Sequence, residues 1–474
     1  MGMEQKANNY FFKSFLTIVI AIGVFWGLKQ VLPGRLFPES TAEIPGIVID
    51  SLALDAMSAD SLSISVGDST ETDTLINRVS IETSDNSEGI GNLVNFYDKL
   101  YELETTGKGK VRIAYFGDSM NDGDLIVQDI RSAYQSKYGG KGVGFVGITS
   151  LSASARYSVT HQFSKTWETQ SFLNVKKPKR AFGVDGQVSF VPRGTQAWLK
   201  YTANDVANAT LLYNPTLFYG SSSNNNASVN ISFSKDSTVR YELITSKLLN
   251  TLKLSPTTKT LKATFEKADS IPFYGINFDD GAGVHVDNFS LRGNSGLPLS
   301  LFNKDLMNAL DKVLNYDLIV LQYGTNVLGY GTTDYSWYEA KMTGVVHHLQ
   351  QCFPNANILI ISTGDRAVKT NMEMQTDKAV EPLVKHQKLY AEGTHSGFIN
   401  LYTLMGGYGS MVKWVQENPS LANKDYTHFN QKGAKKIGGL IYGELDKGYF
   451  EYKKLRESGR IPVQPKKTTE SDDL

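Results

Sequence analysis

One pattern limits this chain more than any other. Short apolar runs rich in strand formers alternate with amphipathic stretches of helical period. Residues 111–116 (VRIAYF) are such a run, and 124–138 follow with Leu125, Val127, Ile130 and Tyr134 at helical spacing. The alternation resumes later: strands are expected at 284–291, 317–323, 357–362 and 397–402, and helices at 301–314, 338–351, 377–392 and 431–446. Strands and helices in this order imply a parallel sheet covered on both faces. Its crevice then lies at the C-terminal ends of the strands.

The texture changes between residues 160 and 283. Ser, Thr, Asn and aromatics dominate, in short alternating runs such as QVSFVPRG, QAWLKYTA and LKATFEKA. Alternation with turn residues between runs predicts antiparallel sheets, a β-sandwich inserted into the α/β domain. The α/β parts are then residues 91–159 and 284–455, with a C-terminal tail at 456–474 whose last stretch, 462–474, is expected to be disordered.

The chain has 474 residues, and 48 basic side chains balance 48 acidic ones. A zero net charge argues against a nucleic-acid binder held by bulk charge. The lone Cys352 excludes an intrachain disulfide and a cysteine zinc site. The zero is an average over unlike parts. Residues 40–90 hold ten acidic side chains, one basic (Arg78) and no aromatic, which predicts a disordered acidic tether. Upstream, residues 15–28 (FLTIVIAIGVFWGL) carry no charge and are bracketed by Lys13 and Lys29. Extended to 10–32 the run reaches membrane-spanning length if the lysines snorkel. Residues 1–39 are therefore expected to anchor the chain, with its bulk outside the cytoplasm. The rival is a cleaved signal peptide, but no small-x-small site follows the apolar run promptly.

Three motifs stand at predicted strand ends or just before a helix. They are Gly117-Asp118-Ser119, Gly324-Thr325-Asn326 and Asp425-Tyr426-Thr427-His428. Each is weak alone; their conjunction in this order is specific. A serine hydroxyl is a poor nucleophile without a base. A turn after a buried strand can hold Ser119 exposed near a helix N-terminus, whose dipole favours a developing anion. His428 is the natural base, and Asp425 lies close enough to orient it. The Asn326 amide and the Ser119 N–H can both donate to an oxyanion.

These residues carry a resemblance to the SGNH (GDSL) hydrolase superfamily. Its four blocks match Gly117–Ser119, Gly293 within SLRGNSG, Gly324–Asn326 and Asp425–His428. The resemblance covers about residues 91–156 and 284–450 and implies a flavodoxin-like three-layer core. It also implies Ser119 as nucleophile, His428 as base and Asp425 as orienter, with an oxyanion hole from Ser119, Gly293 and Asn326. The segment GDSMNDGD…YGGKGVGF is similar to the opening of the peptidoglycan O-acetylesterase-like branch, whose members carry a carbohydrate-binding-like sandwich at the same place. Met120 departs from the histidine frequent there.

Other positions have plainer readings beside the functional ones. Asp118 reads as a turn-capping acid, with a place in the pocket as the alternative. Asp365 and Met405 sit where they could border the pocket; an ion-paired loop and a glycine turn are their rivals. Trp198, Tyr201, Tyr213 and Tyr219 read as sandwich core or as a sugar-stacking set. No histidine has metal-ligand spacing, and no metal or cofactor is implied. The expected function is a membrane-tethered serine esterase facing the periplasm that removes O-acetyl groups from a cell-wall or exported polysaccharide. The alternatives are an O-acetyltransferase served by a membrane acyltransferase partner, and a glycan-binding module with a decayed hydrolase core.

Overall fold

The computed structural model describes Leu52 and residues 86–461, apart from 235, 236 and 255. The expected anchor, most of the expected tether and the chain after 461 lie outside the described residues. Among the described residues no helix is long and apolar enough to cross a membrane.

The α/β part runs β1 (Ser87–Glu88), α1 (Val94–Thr106), β2 (Lys110–Gly117) and α2 (Val127–Tyr138). After the inserted strands it continues with β3 (Gly283–Asn288), α3 (Lys304–Leu314), β4 (Leu318–Gln322), α4 (Ser336–Cys352) and β5 (Asn357–Ile361). It ends with α5 (Val380–Gly393), β6 (Gly397–Ile399), α6 (Leu401–Met405), α7 (Ser410–Gln416) and α8 (Gln431–Glu457). The sheet order is β1-β6-β5-β4-β2-β3, parallel except for β1 at the edge.

Strand side chains alternate between two cores. Ile113, Tyr115, Val320, Leu359 and Ile361 face α1, α2 and α8. Ala114, Phe116, Ile319, Leu321, Ile358 and Ile360 face α3, α4 and α5. Period-two strands with both faces covered leave few polar positions, so these runs read as largely apolar. Each fully buried Ile or Leu contributes about 1.5–3 kcal/mol.

The insertion forms two antiparallel sheets. One has the order 237–242, 228–234, 260–266, 197–203, 159–163. The other has the order 249–253, 216–220, 273–278, 187–190, 168–171, with 144–147 also paired to 273–278. Their inner faces share one core, in which Phe265 meets Phe273 at 4.8 Å. The outer face of the second sheet is apolar too: Phe145, Val188 and Phe218 join the α/β core, and Phe145 lies 5.8 Å from Phe289. Trp198, Tyr201, Tyr213 and Tyr219 do not form one exposed set. Tyr201 and Tyr219 are buried, and Trp198 and Tyr213 are half-buried under Lys262 and Lys141.

Several local expectations change. Ordered chain begins before residue 91: Ser87 and Glu88 pair with Ile399 and Phe398, and Ile90 is buried. Leu52, inside the expected tether, is helical and packs against the α/β core. A two-residue ladder and single apolar side chains escape an argument from average composition. Helix α2 starts at Val127, not 124, because Gly123, Asp124 and Ile126 are left-handed. Strand β6 stops at Ile399, where Asn400 caps α6 by accepting from the Thr403 N–H. Helix α8 runs to Glu457, past the expected end at 446. Tyr449 and Tyr452 pack on Tyr97 at 6.1 and 5.9 Å, and a side chain at Gly448 would strike the Tyr97 hydroxyl.

A buried charge cluster joins the two parts. Arg112 in β2 has no exposure. Its Nε donates to Asp287 Oδ2 at 2.7 Å in β3. Its Nη1 donates to Asp279 at 2.5 Å and its Nη2 to Asn277 at 2.6 Å, at the end of an inserted strand. Asp287 Oδ1 also accepts the Phe145 N–H at 2.8 Å. Removing one partner of such a cluster strands the others without solvent. Arg112→Met is expected to lower unfolding free energy by about 3–5 kcal/mol in urea melts. Lys137→Gln, which breaks the exposed pair with Asp446, should change it by less than about 1 kcal/mol.

Candidate active site

Three adjacent strands deliver the site. β2 lies between β4 and β3, with Gly117 opposite Gln322 and Tyr115 opposite Asn288. Their C-terminal ends therefore release Ser119, Asn326 and the loop bearing Gly293 side by side. Gly117 must lack a side chain here: a Cβ would strike the Asn121 amide and come within 2.9 Å of Ser290 Oγ. Ser119 then sits partly exposed in a turn. That turn does not open directly into α2, which begins eight residues later. The helix N-terminus expected beside the serine is thus displaced by a loop.

The histidine arrives on a hairpin loop before α8. The Asn423 N–H donates to the His428 carbonyl at 2.8 Å, and Ala422 bridges Phe429. Tyr426 takes φ 55, a left-handed value costly for a residue with a Cβ. That turn lets one carboxylate make three contacts. Asp425 Oδ1 accepts the Thr427 and His428 N–H groups at 3.0 Å each, and Oδ2 meets His428 Nδ1 at 2.9 Å. His428 Nε2 lies 2.9 Å from Ser119 Oγ. An ionised carboxylate only accepts, so Nδ1 carries the proton and the neutral ring turns its Nε2 lone pair toward the serine hydroxyl. Burial pushes the Asp425 carboxyl up. The His428 N–H, the His428 ring and the Thr427 N–H outweigh it and hold the group below its usual value. The Asp425 side chain is 49 % exposed, so water screens its field at the ring.

The donors opposite are arranged as follows. Gly293 has φ 80, in the region that favours glycine. Among the described residues neither its N–H nor that of Ser119 meets an acceptor. Asn326 Nδ2 donates to the Asn294 carbonyl at 3.0 Å, which ties two loops together. An amide nitrogen carries two hydrogens, so one stays free.

Asp118 is fully buried and accepts from the Met120 N–H at 2.9 Å and from Thr325. It braces the serine turn against the asparagine turn. Among the described residues Asp365 and Met405 make no hydrogen bond or ion pair with Ser119 or His428. Asp365 accepts from the Met411 N–H at 2.7 Å and the Ser410 hydroxyl at 3.2 Å, capping α7, and its own N–H lies 3.3 Å from Met405 Sδ. Two residues on, the Ala367 N–H donates to the Tyr426 carbonyl at 3.0 Å. This strand end supports the histidine loop from behind. The neighbouring Arg366 is paired with Asp377. Among the described residues no group of His, Cys, Asp or Glu could hold a metal ion. Arg292 was not singled out by the sequence, since it carries no motif; its position beside Gly293 was the available signal.

Burial pushes the Asp118 carboxyl up to about 6, against the Met120 N–H, His428 and Thr325, which pull it down. The folded chain holds this proton more tightly than the unfolded chain. Stability from this group is full below about pH 4 and falls as the pH rises through about 6. The stability of wild type relative to Asp118→Asn should drop by roughly 1–3 kcal/mol between pH 4 and pH 7. Urea unfolding at both pH values checks this, and a constant difference would refute it.

No family model and no curated protein matches the chain. A solved structure described as a peptidoglycan O-acetylesterase in action is similar in fold, with a TM-score of 0.62 at 21 % identity. The match covers 75 % of this chain and 96 % of that one, more than the α/β part alone accounts for. A family two carbohydrate esterase from Cellvibrio japonicus matches at 10 % identity over 61 % of this chain and 99 % of its own, with a TM-score of 0.23. An acetyl xylan esterase matches at 20 % identity over 34 % of this chain and 80 % of its own, with a TM-score of 0.27. Both scores are too low to bear on the fold. The chain therefore shares the fold of the peptidoglycan O-acetylesterase structure, with a parallel α/β core and an antiparallel β-sandwich set into it.

Proposed function

We propose that this protein is a serine esterase that removes O-acetyl groups from a cell-wall or exported polysaccharide. The observation that supports it is the relay from Ser119 Oγ to His428 Nε2 and from His428 Nδ1 to Asp425 Oδ2, each at 2.9 Å. The fold shared with a peptidoglycan O-acetylesterase structure supports the choice of substrate.

In this reading the Ser119 hydroxyl passes its proton to His428 Nε2 as Oγ attacks the ester carbonyl carbon. The carbonyl oxygen becomes an alkoxide that accepts from the Ser119 and Gly293 N–H groups and the free hydrogen of the Asn326 amide. Asp425 keeps the ring in the tautomer that accepts the proton and stabilises the imidazolium. His428 then protonates the departing sugar oxygen, leaving an acetyl ester on Ser119. Water, deprotonated by His428, attacks that ester and releases acetate. We further propose that the apolar run at 10–32 holds the enzyme at the membrane, with residues 86–461 in the periplasm.

The purified protein should release acetate from O-acetylated glycan and from a small activated acetate ester. Ser119→Ala is expected to lower kcat at least about 10³-fold, and Asp425→Asn at least about tenfold, the smaller effect following from its exposure. Wild-type activity in Ser119→Ala would overturn the assignment. Acetyl transfer to a glycan acceptor without acetate release would replace hydrolysis by transfer.

A further inference from the structure

A cleft of about 780 Å³ opens where the insertion meets the α/β part. Its α/β wall includes Asp122, Arg292 and Phe429, close in sequence to Ser119, Gly293 and His428. Its other wall includes Tyr157, Asn204 and Asp205. Tyr157 is 53 % exposed, and its ring offers a face for a sugar to lie against.

The charges in this cleft are unevenly satisfied. The Arg292 side chain is 55 % exposed, and its Nε donates to Asp122 Oδ2 at 2.6 Å. Asp122 is buried, and its other oxygen accepts the Gly123 N–H at 2.9 Å and the Ser152 hydroxyl. That carboxylate is fully engaged and fixes the guanidinium through one nitrogen. Among the described residues the two terminal nitrogens of Arg292 make no hydrogen bond. Arg156, on the same cleft, donates through Nε to Ser158 Oγ at 3.2 Å. Its Nη2 is buried without a hydrogen-bond partner and lies 4.0 Å from Asp124. The nearby carboxylates all have cations: Asp124 is paired with Arg131 at 2.8 Å and Asp205 with Lys259 at 2.7 Å. The donors left without a hydrogen bond in this cleft are therefore on guanidinium groups.

We propose that the cleft takes a glycan bearing carboxylates and that Arg292 is the residue that reads them, an inference that rests on the esterase reading above. A guanidinium held at Nε presents its terminal nitrogens as a fork, the shape that grips a carboxylate through two parallel hydrogen bonds. Arg292 adjoins Gly293, so the recognised carboxylate lies on the acetylated sugar or its neighbour. The insertion completes the far wall and keeps the chain from lying freely in water.

The test uses two acetylated glycans, a polyuronate and a peptide-free cell-wall glycan with lactyl carboxylates, each before and after conversion of the carboxylates to amides. For wild type, amidation of at least one of them should lower kcat/KM by about tenfold or more, mainly through KM. The polymer that responds identifies the carboxylate. Arg292→Gln should discriminate the two forms by less than about threefold, and Arg292→Lys should fall between, having charge without the fork. Equal activity of wild type on both forms of both polymers, or full discrimination by Arg292→Gln, overturns the proposal while leaving the esterase reading intact. Absence of wild-type activity on every glycan and on a small activated acetate ester overturns both.

Discussion

Buried Arg112 ties together the three strands that end in the site. Its guanidinium bonds Asp287 of β3 through Nε and Nη2, and its backbone N–H donates to Asp317 Oδ2 at 2.9 Å, just ahead of β4. Tyr316 adds its hydroxyl to Asp287 at 2.7 Å. Arg112 faces His285 across the β2–β3 ladder. A slip of one residue would turn the guanidinium to the other face and take it away from Asp287 and Asp279. Such a cluster is weak as a source of net stability, because two or more charges must leave water. Its value is in register: it sets where Ser119, Gly293 and Asn326 emerge relative to one another.

The same cluster explains why the insertion is not a loosely attached module. Asp279, Asn277 and Phe145 belong to the sandwich, and all bond Arg112 or Asp287. Around these polar contacts the second sheet lays Phe145 and Phe218 into the α/β core. Within the α/β part, Arg131 holds Asp124 through both terminal nitrogens and its Nε donates to the Val286 carbonyl at 2.7 Å. The insertion is thus fixed to the α/β part by buried charge and aromatic packing.

Much of this was legible along the chain. Largely apolar runs at 111–116 and 357–362 pointed to strands buried on both faces, and the intervening helical periods placed them in a parallel sheet. Ser119, Asn326 and His428 stood out because each follows such a strand or precedes a helix. What escaped were features that depend on distant partners. Residues 118–126 read as a short turn into a helix, but three left-handed residues extend the loop. Asp365 resembled a pocket acid because strand ends generally face the crevice, yet α7 folds back and takes its carboxylate. The end of α8 was invisible because Tyr449 and Tyr452 acquire a reason to be helical only when Tyr97 lies beneath them.

The layers of the fold and the residue types available for chemistry follow from the order of amino acids alone. Periodicity and apolar runs are local properties, and a serine, a histidine and an asparagine after strands are local signals. Which carboxylates face the reaction and which support the scaffold is settled only once the chain has folded. Asp118, Asp122, Asp287 and Asp365 are chemically identical along the chain. Burial and the nearest cation or N–H give each a different role. Asp118 braces the serine turn, Asp122 aims Arg292, Asp287 neutralises Arg112 and Asp365 caps α7. Those neighbours lie far away in sequence for most of the four, and a charge in low dielectric is defined by what surrounds it.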